Sequence, residues 1–246
     1  MENEWDRISD DYSQSIGEHG DAWRQLVINP SILGVLKPIA YGSKVLDLGC
    51  GEGYLARLLK PAGFSYTGID NSQKLLNLAM VKKSPGEFKQ KDITEPLGYK
   101  DQFEVVIANM VLNGVDDVEA VCQNAWLALK LNGIFIVTIP HPVFRRPGAQ
   151  LAKTIFGKIS RRDPFIRINA YTNPFFKRIR IKHIHNFATV FHRSLSFYVQ
   201  TPLNQGFRLL DIQETSPTKD QLVKYNQPIF FTKFPQVLFM VFSKDE

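Results

Sequence analysis

From Lys44 onward the chain alternates short apolar runs with longer amphipathic stretches. The apolar runs Lys44–Leu48, Tyr66–Ile69, Phe88–Gln90, Phe103–Ala108 and Ile134–Ile139 are strand-sized, and the last two are rich in Val and Ile. Between them, Tyr54–Leu59, Gln73–Val81 and Val118–Leu129 carry helical spacing. Strand–helix alternation with continuously apolar strands predicts a parallel sheet covered on both faces. Residues 4 to 36 read as helical, broken near Gly17 and Gly20, with Trp5, Tyr12, Trp23, Leu26 and Leu33 as apolar anchors. After Ile139 the rhythm stops, and Pro140, Pro142, Pro147, Pro164 and Pro174 punctuate a basic, aromatic region. A helix over Ser194–Gln205 and strands over Phe207–Gln213 and Gln236–Phe242 follow, the last two expected to pair as an antiparallel hairpin with a long loop.

Composition changes this picture little. The 246 residues are 44% hydrophobic and 22% charged, which excludes wholesale disorder and a coiled coil. No stretch approaches the roughly 18 apolar residues of a membrane-spanning helix. The acidic start has no apolar segment of the secretory kind. With only Cys50 and Cys122, no disulfide framework is expected, and the reading places the chain in the cytoplasm. No His/Cys cluster has metal-ligand spacing, so no metal is expected.

Charge changes it more. The net charge of +6 conceals an asymmetry: residues 141–200 hold twelve Lys/Arg and a single acid, Asp163. That segment is +11, which leaves −5 on the rest. Within it, Arg178-Ile179-Arg180-Ile181-Lys182 reads as a strand with one basic face, either simply solvated or suited to an acidic acceptor or surface.

The candidate chemistry lies in Val45-Leu46-Asp47-Leu48-Gly49-Cys50-Gly51-Glu52-Gly53-Tyr54, a strand, a glycine turn and a helix start. Glycine permits positive φ and lets a ligand approach the backbone, and the following helix terminus offers unpaired N–H groups. The spacing is G-x-G-x-G, not the dinucleotide G-x-G-x-x-G. Asp47 suits an ammonium group. Asp70, about 20 residues beyond the glycines at the end of the second strand, is placed to accept from ribose hydroxyls. Asp92 and Asn109 follow the third and fourth strands, so all four sit where parallel sheets bind ligands.

These motifs, with Gly68-Ile69-Asp70, Gln90-Lys91-Asp92-Ile93 and Leu129-Lys130-Leu131-Asn132-Gly133-Ile134-Phe135, resemble the class I S-adenosylmethionine-dependent methyltransferases of the small-molecule, methyltransferase 11-like type. The resemblance runs from about Trp5 to Phe242. It implies an α/β, Rossmann-like, seven-stranded, mostly parallel sheet with the last strand antiparallel, an N-terminal helical cover and an insertion after strand five. One domain over 1–246 is expected, divided into cover (1–42), donor-binding core (43–140), basic aromatic insertion (141–205) and last strands (206–246). The resemblance implies that S-adenosylmethionine lies along Gly49, Cys50, Gly51 and Gly53. Asp47 would hold its amino group, Asp70 with neighbouring Asn71 its ribose, Asp92 and the Ile93 N–H its adenine, and Asn109 its methionine part.

Methyl transfer from a sulfonium is an in-line displacement that demands positioning first and a general base only for a protonated acceptor. His141, just past the fifth strand, and His192 are the candidate bases; His183 and His185 are weaker ones. Tyr12 and Trp23 by analogy, and Tyr171 among the aromatics of the insertion, are candidate acceptor-pocket residues. The expected partner is a small-molecule acceptor, with the basic module pointing to an acidic one. RNA methylation is the second reading, opposed by Asn109-Met110-Val111-Leu112, which lacks the Asn/Asp-Pro-Pro-aromatic pattern of exocyclic-amine methylases. A donor-binding subunit without turnover is the third.

Overall fold

The computed structural model describes residues 3–145, 147–151, 166–168, 171–180 and 186–245. His183 and His185, and six of the twelve basic residues of the insertion, lie outside them. Helix α1 (Glu4–Ile16) is followed by a π-helical turn (Arg24–Ile28) and α2 (Asn29–Leu36). The core then runs β1 (Lys44–Leu48), α3 (Tyr54–Leu59), β2 (Ser65–Asp70), α4 (Gln73–Val81), β3 (Glu87–Gln90), β4 (Phe103–Asn109), α5 (Val118–Ala128) and β5 (Leu129–Pro140). Two short antiparallel pairs follow: β6 (Ala149–Leu151) with β7 (Ile166–Ile168), and β8 (Phe175–Arg180) with β9 (Phe187–His192). The chain closes with α6 (Leu195–Asn204), β10 (Arg208–Thr215), α7 (Lys219–Lys224) and β11 (Val237–Ser243).

Seven strands form one sheet in the order β10-β11-β5-β4-β1-β2-β3. β1 through β5 pair in parallel, and β11 runs antiparallel between β5 and β10. β11 is buried along all seven residues, because it has a strand on each side and packing on each face. Successive side chains alternate between faces. Leu46, Leu48, Val106 and Ala108 therefore join the core beneath α5 and α6. Val45, Val105, Ile107 and Ile136 join the opposite core with α2, α3 and Leu222. Asp47 falls by the same alternation on the second, otherwise apolar face.

Chain direction across the sheet reverses between β1 and β4, the position at which open parallel sheets bind ligands beyond their carboxyl ends. Two features differ from the expectation. The π-helical turn at residues 24–28 leaves no mark in a 3.6-residue pattern. The long loop before β11 contains α7, whose capping box of Thr218 and Gln221 is a purely local signal. Among the described residues, no helix is long and apolar enough to cross a membrane.

Candidate donor-binding site

The three turn glycines are all left-handed, with φ of 76° at Gly49, 55° at Gly51 and 71° at Gly53. They serve different ends. A Cβ at Gly49 would collide with Val111, at 2.4 Å from Cγ2. A Cβ at Gly53 would collide with Phe88 and Ser84, so Gly53 admits core packing and not a ligand. A Cβ at Gly51 would meet only Tyr12 Cε1, at 3.7 Å. Gly51 is thus the glycine that keeps space open. Cys50 turns its side chain away from that space and packs its Sγ against Gly68.

Asp70 holds the turn in place. Its Oδ2 accepts from the Gly51 N–H at 2.8 Å and its Oδ1 from the Ser72 N–H at 2.9 Å. Burial pushes its pKa up to about 6, against the lowering effect of these N–H groups.

A cleft of about 270 Å³ opens at this end of the sheet, lined by Gly49 and Gly51 after β1, Asp70 and Asn71 after β2, Asp92 and Ile93 after β3, and Asn109 to Val111 after β4. A second cavity of about 360 Å³ lies at the amino ends of the strands, among Lys44, Ser65, Glu87 and Phe103, away from the glycine turn. Asp92 is exposed and bonded to its own turn through Thr94, at 2.9 and 2.7 Å. Ile93 is buried. The Asn109 side chain is tied back to Thr138 at 2.6 Å and Tyr54 at 3.4 Å. Met110 adopts φ of 59°, rare for a non-glycine residue, and its N–H bonds to the Thr138 carbonyl at 2.8 Å. The chain thereby turns sharply over the cleft.

Helix α1 covers the opening. Asn3 donates to Asn71 Oδ1 at 2.8 Å, and Asp6 Oδ1 accepts from Ser72 Oγ at 2.6 Å and from the Lys74 N–H at 3.0 Å. On its other side Glu4 accepts from the Thr189 N–H of β9 at 2.8 Å. Trp5 and Tyr12, two helical turns apart, meet edge to face at 5.5 Å, and both line the cleft.

Behind the glycine turn lies a buried polar group of mixed charge. Asp47 is buried; its Oδ2 accepts from the Tyr66 hydroxyl at 2.5 Å, and its Oδ1 has no partner. Burial pushes the Asp47 pKa up to about 7, opposed by the Tyr66 bond and aided by the charge of Asp70. Arg24, also buried, donates to Asp21 at 2.7 Å and to the Tyr12 hydroxyl at 3.0 Å, and lies over the Tyr54 ring at 5.5 Å. Its Nε is buried without a partner.

A carboxyl whose native pKa lies above its unfolded value binds protons more tightly when folded. Stability therefore falls as pH rises from about 4 to 7, while the unfolded chain ionises first. Asp47 and Asp70 act in the same direction. The ligand-free protein should lose on the order of 4 kcal/mol between pH 5 and 8, and a cationic ligand should raise its melting temperature more at pH 8 than at pH 5. Denaturation at the two pH values checks this; a slope unchanged by Asp47→Asn would refute the assignment.

The structure does not bring every expected residue to the cleft. His141 is fully buried, its Nδ1 accepts from the Val143 N–H at 3.2 Å, and its Nε2 faces Glu214 Oε1 at 2.6 Å. These partners specify the Nε2–H tautomer. Burial lowers its pKa despite Glu214. With both ring nitrogens engaged it braces the exit of β5 and has no lone pair for an acceptor's proton. His141→Gln should therefore keep kcat within about threefold while lowering stability by about 1–3 kcal/mol, read by steady-state kinetics and thermal melting. His192 is likewise buried, bonded through Nε2 to the Tyr171 carbonyl at 2.9 Å and packed against Gly148 and Phe175. The Tyr171 hydroxyl accepts from the Leu195 N–H at 2.9 Å, which ties it to the start of α6. Trp23 packs edge-on to Phe231 at 5.0 Å, outside the cleft lining.

Trp5 and Arg24 carry no motif. Trp5 shares a helical face with Tyr12, a periodicity that was present in the sequence. Arg24 had no such signal.

A parallel sheet ending in a glycine turn, with one acid after each of its second and third strands, defines a nucleoside-binding α/β domain. The methyltransferase-domain family model matches residues 21–194, and the chain belongs to that family. It is 32% identical to trans-aconitate 2-methyltransferase of Delftia acidovorans over 107 residues, 42% of this chain and 40% of that one. It is 32% identical to the ubiquinone biosynthesis O-methyltransferase of Pelagibacter ubique over 115 residues, 44% of this chain and 48% of that one. The chain thus spans about half the length of the curated relatives it matches. A solved S-adenosylmethionine-dependent methyltransferase from Mesorhizobium loti superposes with a TM-score of 0.76 at 21% identity, covering 92% of this chain and 100% of that chain. The fold is that of these methyltransferases.

Proposed function

We propose that the chain binds S-adenosylmethionine in the α1-covered cleft and transfers its methyl group to a small-molecule acceptor. The observation that carries this reading is the space kept open by left-handed Gly51 beneath Tyr12, ringed by residues from the ends of β1 to β4.

The residues present fit that donor. Unpartnered Asp47 Oδ1 and the unpartnered Nε of Arg24 are a buried acceptor and a buried donor, matched to the amino and carboxylate groups of an amino acid. Asp70 and Asn71 would take the ribose hydroxyls, and Asp92 and Ile93 the adenine. When bound, S-adenosylmethionine supplies a methyl group already activated on a sulfonium. The chain's task is then to orient two partners and exclude water, and positioning of this kind reaches effective molarities of about 10⁵–10⁸ M. Trp5, Tyr12 and α1 do so by roofing the cleft. No histidine lines it among the described residues, so this reading assigns the protein no histidine general base.

The names of the relatives, acting on trans-aconitate and in ubiquinone biosynthesis, support a small acceptor. In this reading residues 1–42 act as the cover, 43–140 hold the donor and 141–205 face the acceptor. Calorimetry with S-adenosylmethionine, followed by labelled methyl transfer to a panel of small acids and phenols, tests it. Micromolar donor binding with labelled product is expected, and no binding at millimolar donor would overturn the proposal.

A further inference from the structure

The β8–β9 hairpin carries a surface that donor binding does not use. In its register Phe176 lies opposite Phe191, Arg178 opposite Thr189 and Arg180 opposite Phe187. Alternation puts these six side chains on one face. Phe176 is 68% exposed and Phe187 49% exposed, far more than soluble packing requires of two phenylalanines on one small face. They stand about 13 Å apart along the strands, with the exposed side chain of Arg178 between them and that of Arg180 directly opposite Phe187. Among the described residues Arg178 pairs with Glu4 at 3.5 Å, and it stays 58% exposed. The segment containing all of these has twelve basic residues and one acid.

Aromatic rings flanking guanidinium groups match the chemistry of an anionic bilayer surface. The rings enter the boundary between headgroups and acyl chains, and the cations meet lipid phosphates. Nucleic acid fits less well. Phe176 and Phe191 are tilted at 49° with centroids 6.0 Å apart, and Phe187 stands about 13 Å off, so the rings form no continuous stacking platform for successive bases. The hairpin also adjoins the cleft: β9 packs against residues 112–114, whose Gly114 lines the cleft, and Glu4 of the α1 cover is bonded to β9.

We propose that this face of the β8–β9 hairpin docks the protein on anionic lipid surfaces and sets the cleft mouth beside the bilayer. The corresponding acceptor class is amphiphilic, drawn from the membrane or its surface.

Flotation of the full chain with vesicles tests this, using phosphatidylcholine alone and phosphatidylcholine mixed with phosphatidylglycerol. Binding to the mixed vesicles only, weakened by salt, is expected. Phe176→Ser with Phe187→Ser should reduce it about tenfold while calorimetric donor affinity stays unchanged. Should the double variant lose donor affinity, Phe176→Ser alone carries the same reading, since that ring is mostly in solvent. Equal binding to both vesicle types, or wild-type flotation of the folded variant, overturns the proposal. So does absence of flotation, and an RNA gel shift or a dimer that the same substitutions dissociate would then assign the face to nucleic acid or to a second copy of the chain. Donor binding is measured separately, so failure of the docking surface leaves the donor assignment standing.

Discussion

Gly51→Arg is expected to weaken S-adenosylmethionine binding at least about 100-fold, equivalent to about 2.7 kcal/mol, while the protein remains folded. The Cβ itself is tolerable, since its nearest neighbour is Tyr12 Cε1 at 3.7 Å. The backbone strain of an L-residue at φ of 55° is about 1–2 kcal/mol, within the stability margin of an ordinary domain. The rest of the side chain, however, can extend only into the space between the turn and Tyr12. The loss therefore comes from occupied volume, and calorimetry beside circular dichroism separates it from unfolding. Unchanged affinity would remove the cleft as the donor site.

Arg24→Met is the second. It preserves most of the side chain's volume but removes a buried charge that engages Asp21, Tyr12 and the Tyr54 ring. A hydrogen bond to a charged group contributes about 1.5–3 kcal/mol, so donor affinity should fall about 10- to 150-fold. A merely structural arginine would weaken all donor analogues alike. If Arg24 holds the carboxylate, the wild type should prefer S-adenosylmethionine to its decarboxylated analogue, and Arg24→Met should abolish that preference. Arg24→Lys should restore part of it. A preference that persists in the methionine variant would show that Arg24 only packs the cover.

Arg24 also shows where sequence reading stops. Its nearest motif is some 25 positions away, and no spacing rule connects it to the glycines. It comes within reach of Tyr12, which lines the cleft, because a π-helical turn and α2 pack on the same sheet face as Tyr54. Trp5 was partly legible, because a seven-residue interval to Tyr12 places both on one side of a helix. That this side faces the cleft followed only from Asp6 on α4 and Glu4 on β9. His141 shows the opposite error. Its place after β5 suggested a base, but Glu214, on β10 and 73 residues away, and the Val143 N–H occupy both nitrogens.

By itself, the sequence determined the sheet, the glycine turn and the acids after the strands. These depend on local rules: short apolar runs alternating with helical stretches, positive φ at glycine, and the position of a residue at a strand end. Only the tertiary structure decided which glycine keeps a space open, which buried polar atoms are left without partners, and which histidine nitrogens are engaged. Those properties depend on partners remote in the chain, brought together by burial of the two sheet faces, and no interval in the sequence records them.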